Sequence, residues 1–140
     1  MRVLVDTNIF ISYLLNPKKD SFVSLLLDKV AEGEITLLVP QALLVEIESV
    51  VLKKPKLLQT ITRKRLTKFI QSLSAVSTEI PLIHEAIPQL TRDPKDDFLI
   101  AYAVLGQADY LISGDNDLLV LKEIQGLKIV DSGEFRKLIS

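Results

Sequence analysis

Five acidic positions stand where composition alone does not call for an acid. Asp6 follows the apolar run in Val3-Leu4-Val5-Asp6-Thr7-Asn8. Glu46 lies inside Leu43-Leu44-Val45-Glu46-Ile47. At helical spacing it borders the stripe made by Leu43, Ile47 and Val50. Asp96 and Asp97 immediately precede the most apolar helical stretch, with Asp93 just upstream. Asp115 follows the strand-like Tyr110–Ser113, two residues before Asp117. Each acid has an ordinary explanation. Aspartate favours turns and helix caps, and turn-plus-cap is the better reading of Asp117. A glutamate beside a core stripe can snorkel toward a base such as Lys53.

Together the acids suggest chemistry. Carboxylates gathered in one pocket repel and raise one another's pKa, and a hard divalent cation relieves that. With no cysteine and the single His84, thiolate nucleophiles, thiolate zinc sites and multi-histidine metal sites are excluded. Oxygen ligands alone select Mg²⁺ or Mn²⁺.

The elements that must position these acids alternate. Strands are expected at Arg2–Val5, Ile35–Val39, Ala75–Ile80, Tyr110–Ser113 and Leu127–Val130. Helices are expected at Ile9–Leu15, Ser21–Ala31, Pro40–Lys53, Thr60–Ser74, Leu82–Ala86, Asp97–Leu105, Asp117–Glu123 and Glu134–Ile139, with Pro55 breaking one and Gly33 ending another. Strands alternating with helices imply a single α/β sandwich with a mostly parallel sheet. The length of 140 residues fits one domain. In such sheets, sites form beyond the carboxyl ends of the strands, which is where Asp6 and Asp115 fall.

The order of acids resembles PIN-domain ribonucleases. The resemblance rests on Val3–Asn8, mid-helix Glu46, Asp93-Pro94-Lys95-Asp96-Asp97 with Ala101 and Ala103, and Ala108–Leu119. Leu52-Lys53-Lys54-Pro55-Lys56-Leu57 resembles the VapC-type toxin subgroup. The resemblance spans the whole chain and implies a PIN-like three-layer sandwich. It also implies a Mg²⁺- or Mn²⁺-dependent endoribonuclease, often a homodimer and often silenced by a small antitoxin. By position, Asp6 matches the first acid, Glu46 the second and Asp115 the fourth; the third is Asp96 or Asp97. Ser113 stands where the family usually has threonine, and Asn8 matches a polar position supporting the first acid.

The net charge of −1 conceals a segregation. Residues 49–78 hold seven basic residues and no acid, leaving ten basic and eighteen acidic residues elsewhere. Lys53, Lys54, Lys56, Arg63, Lys64 and Lys68 are candidates for contacting the phosphates of an RNA substrate, against the alternative of an ordinary solvated helix face. Two other functions fit the pattern less well. A haloacid-dehalogenase-like phosphatase needs a second aspartate two residues after the first, where Asn8 stands. A non-catalytic RNA-binding module would not need all four acid positions. No apolar run approaches about 20 residues and no secretory leader is evident, so no membrane role and a cytoplasmic location are expected.

Overall fold

The computed structural model describes all 140 residues, Met1–Ser140. The strands are β1 (Arg2–Val5), β2 (Thr36–Pro40), β3 (Thr78–Ile80), β4 (Tyr110–Ile112), β5 (Glu123–Ile124) and β6 (Leu127–Val130). They form one sheet in the order β3-β2-β1-β4-β6-β5. All pairings are parallel except β5–β6. Val3, Leu4 and Val5 are all buried, as are Leu37, Leu38 and Val39. Side chains alternate between faces along a strand. Consecutive burial therefore means that both faces are covered, which gives the three-layer arrangement expected.

The helices are α1 (Thr7–Leu15), α2 (Phe22–Ala31), α3 (Gln41–Lys53), α4 (Pro55–Thr60), α5 (Arg63–Val76), α6 (Pro94–Leu105), α7 (Asn116–Leu119) and α8 (Ser132–Ile139). After β1 the chain builds outward through β2 to β3, then returns to place β4 on the other side of β1. The strand order thus reverses between β1 and β4, and a crevice opens beyond their carboxyl ends. Asp6 follows β1 and Ser113 follows β4.

The structure departs from the expected elements at four places. Residues 82–86 form no helix; Leu82 is exposed and Ile83 alone of the stretch packs against the core, too little apolar surface to hold one. Pro55 starts a short helix of its own, α4, because proline suits the first helical turn; the basic helix begins only at Arg63, behind the Thr62 cap. The third strand is confined to Thr78–Ile80. The expected helix at 117–123 is the short α7, followed by a hairpin turning at Gln125 and Gly126, both with positive φ, as a two-residue primed turn requires.

Candidate active site

Asp6 leaves β1 with its backbone N–H bonded to Ile112 O (2.9 Å), which continues the ladder to β4. The residue is 8% exposed. Ser113, fully buried, donates its hydroxyl to Asp6 Oδ2 (2.8 Å) and accepts from the Asp115 N–H (3.0 Å). Two strand ends are thereby locked together, each carrying an acid. Burial raises the Asp6 pKa, and the negative charge of Asp115 adds to it. The Ser113 bond and the nearby N–H groups of Asn8 and Thr7 oppose the rise without overcoming it.

α6 brings the next acid. Asp93 caps this helix, accepting from the Lys95 N–H (2.9 Å). Asp96 and Asp97 therefore sit inside the first turn and are free of capping duty. They point apart. Asp96 turns toward Asp115 and Asp6; its Oδ2 is buried with no hydrogen-bond partner. Its pKa is pushed up to about 7, first by burial and then by the Asp115 carboxylate beside it. Asp97 Oδ1 instead accepts from Leu90 N–H (2.9 Å), Thr91 N–H (2.8 Å) and the Thr91 hydroxyl (2.9 Å). Burial would raise the Asp97 pKa, but these three bonds outweigh it and hold the carboxyl below its ordinary value.

Asp115, not Asp117, caps α7, accepting from the Asp117 N–H (2.9 Å). Asp117 is half-exposed and pairs with Arg92 (2.8 Å). Carboxylate oxygens of Asp96, Asp115 and Asp117 all lie within 4.8 Å of one another. Glu46, a turn and a half into α3, approaches from the other side; burial and the charge of Asp6 raise its pKa. Lys95, rather than Lys53, is the base that opposes this rise. Thr7 lies beside Glu46 and favours its ionised form, yet its buried hydroxyl reaches no full hydrogen bond. Glu46, Asp6, Asp96, Asp115 and Asp117 thus form one chain of acids across the crevice, with an unpartnered oxygen at its centre.

A family model described as a PIN domain matches residues 2–117. The chain belongs to the PIN-domain family. Among the solved structures it is similar to one described as VapBC2 from Rickettsia felis bound to a DNA fragment from their promoter. The TM-score is 0.63 at 16% identity, covering 94% of this chain and 98% of that chain. No curated protein matches.

Two depressions flank the acids of this PIN domain. One, about 620 Å³, reaches from Asp6 and Asp115 along α1 to the start of α2. The other, about 630 Å³, runs from Glu46 between α3 and α6 and is lined by Lys53, Lys54 and Lys95. Lys53 and Lys54 thus fall beside the acids, as their place at the end of the Glu46 helix suggests. Lys95 lines the same groove without standing out in the sequence; its signal is the Asp93-Pro94 pair, which marks a helix start as well as a turn. Lys56, Arg63, Lys64 and Lys68 are exposed but line neither depression. Arg65 of the same segment is a structural clamp, donating to Leu14 O (2.9 Å) and Thr60 O (3.1 Å) at the ends of α1 and α4. His84 is exposed. No helix is long and apolar enough to cross a membrane.

Proposed function

We propose that this PIN domain is a Mg²⁺- or Mn²⁺-dependent endoribonuclease, the toxin component of a toxin–antitoxin pair. The observation that carries this reading is the cluster of Asp96, Asp115 and Asp117, whose carboxylate oxygens lie within 4.8 Å of one another, with one buried Asp96 oxygen left without a hydrogen-bond partner. An orphaned carboxylate oxygen among other carboxylates is costly. A donor set made only of hard oxygens suits a small divalent cation. Asp96 and Asp115 would hold the ion, with Asp117 and Asp6 beside them and Glu46 on the flank next to Asp6. The chemistry a divalent ion supplies in such a site is activation of water and offset of charge on the phosphoryl oxygens.

The chain's own residues do the rest. Ser113 fixes the Asp6 carboxylate and the Asp115 backbone in one relative position. Asp97 holds the 90–91 segment over the end of α6 and takes no part in the acid chain. Lys53, Lys54 and Lys95 offer positive charge to the phosphate backbone beside Glu46. Lys56, Arg63, Lys64 and Lys68 can extend that field at longer range. The likeness to a VapBC2 structure supports the toxin role, a small antitoxin as partner and, with the family resemblance, a homodimer acting in the cytoplasm.

The test is cleavage of single-stranded RNA, and of DNA of the same sequence, by the purified protein with Mn²⁺. Asp6→Asn and Asp96→Asn serve as controls. RNA cleavage lost in both variants is the expected result. Equal cleavage by all three proteins would assign the activity to a contaminant, and preference for DNA would overturn the substrate assignment.

A further inference from the structure

The two depressions beside the acids differ in chemistry. The groove next to Glu46 carries three lysines, and phosphates need cations. The cleft next to Asp6 has a single base, Lys18, at its rim. Asn8 and Ser12 lie one turn apart on α1 and Asn16 follows its last residue, so this helix and its end present two amides and a hydroxyl to the cleft. Two aromatic rings, Tyr13 and Phe22, complete it. Each is half-buried and braced from behind, Tyr13 against Phe69 (5.9 Å between ring centroids) and Phe22 against Phe135 (6.2 Å). Neutral donors and acceptors beside braced rings do not suit a phosphate; they suit the edge and face of a base. The volume of about 620 Å³ is that of a small-molecule site. Asp6 and Asp115 form its inner wall, so an occupant is continuous with the acid chain.

We propose that this cleft is a base-binding subsite, which takes one unpaired nucleobase of the strand whose phosphate lies at the carboxylates. The inference rests on the nuclease reading and deepens it. The strand crosses the acids with its backbone on the lysine groove and one base turned into the α1 cleft. Sequence preference next to the cut then comes from the amides and hydroxyl of α1, and not from RNA shape alone.

The probe is the uncharged ribonucleosides, which present a base without a phosphate. They are titrated into the full-length, isotopically labelled protein while backbone amide shifts are followed. At least one nucleoside is expected to move amides of residues 8–22 and leave those of Lys53 and Lys54 still. The Ser12→Ala/Asn16→Ala variant, altered only at exposed positions, should bind it at least about fivefold more weakly, as for two lost hydrogen bonds. Tyr13→Leu should weaken every nucleoside that binds, through lost stacking. Shifts confined to the lysine groove, or none, overturn the subsite even if RNA is cleaved. Shifts in residues 8–22 without RNA cleavage by the unsubstituted protein uphold the cleft and reject the nuclease reading. If RNA is cleaved, the double variant should also flatten base preference at one position beside the cut; an unchanged preference rejects the subsite.

Discussion

Ser113 donates its hydroxyl to Asp6 Oδ2 over 2.8 Å, across the ends of two adjacent parallel strands. The Ser113 hydroxyl oxygen in turn accepts from the Asp115 N–H, so one side chain sets the separation of two acids. Ser113→Ala leaves a buried carboxylate oxygen without its donor, at a cost of about 1–3 kcal/mol. It should also weaken divalent-ion binding by about 10–100-fold, as removal of an orienting partner does. Calorimetric Mn²⁺ titration and thermal melting check both effects. Ser113→Thr keeps the hydroxyl and should retain most of the affinity; equal losses in the two variants would mean that bulk, not the hydrogen bond, matters.

The acid chain should make the metal-free protein less stable as pH rises. Asp6, Glu46 and Asp96 all have raised pKa values, Asp96 about 7. The folded chain therefore binds more protons than the unfolded one between about pH 4 and 7, and stability falls through that window as these protons leave. Asp97 works the other way: its depressed pKa contributes stability above the ordinary aspartate value, lost only in stronger acid. With chelator present, the melting temperature should drop from about pH 5 to about pH 8. Asp96→Asn should flatten that slope, and Mn²⁺ should reverse it. A melting temperature indifferent to pH would contradict the crowding of these carboxylates.

Much of this arrangement is legible in the chain. Asp6 and Asp115 follow apolar runs too short to be anything but buried strands, and parallel sheets place such ends together. Glu46 is visible because helical phase puts a charge beside a core stripe. The choice between Asp96 and Asp97 is not visible, since both lie in one helical turn and only the position of residues 90–91 separates them. Asp117 reads as a cap because local sequence offers Asp115 and Asp117 equally; the chain folds so that Asp115 caps and Asp117 faces Arg92. Residues 82–86 mislead because prolines bracketing an apolar stretch suggest a helix, whereas Tyr102 and Asp97 pin the segment by backbone N–H groups at Ile83, Leu90 and Thr91. The hairpin at Gln125-Gly126 escapes because glutamine is a rare choice at a positive φ.

Asp96 and Asp97 should separate cleanly on substitution. Asp97→Ala removes the acceptor for two backbone N–H groups and a hydroxyl. Amide hydrogen exchange at Leu90 and Thr91 should rise at least about tenfold while divalent-ion affinity changes little. Asp96→Ala should abolish ion binding and raise the melting temperature of the metal-free protein at neutral pH, because it removes a crowded charge. Loss of ion binding in Asp97→Ala with unaltered exchange would reverse the assignment of the two acids.

The basic segment holds two kinds of residue, and substitution should divide them. Arg65 donates to Leu14 O and Thr60 O, tying the ends of α1 and α4 to α5. Arg65→Ala should destabilise the fold by about 1–3 kcal/mol, since bonds from a charged donor to otherwise open carbonyls are lost. It should leave the salt dependence of RNA binding unchanged, because a guanidinium spent on carbonyls is not available to phosphates. Lys53→Ala/Lys54→Ala should do the reverse. Both lysines are exposed, line the groove beside Glu46 and form no ion pair with an acid, so the melting temperature should hold. The slope of log affinity against log salt should fall by about two, one for each phosphate contact. Binding is measured on the Asp6→Asn protein, so that cleavage does not consume the probe. A slope unchanged by loss of both lysines would remove the groove from the RNA path and leave the +7 charge of residues 49–78 a solvated face.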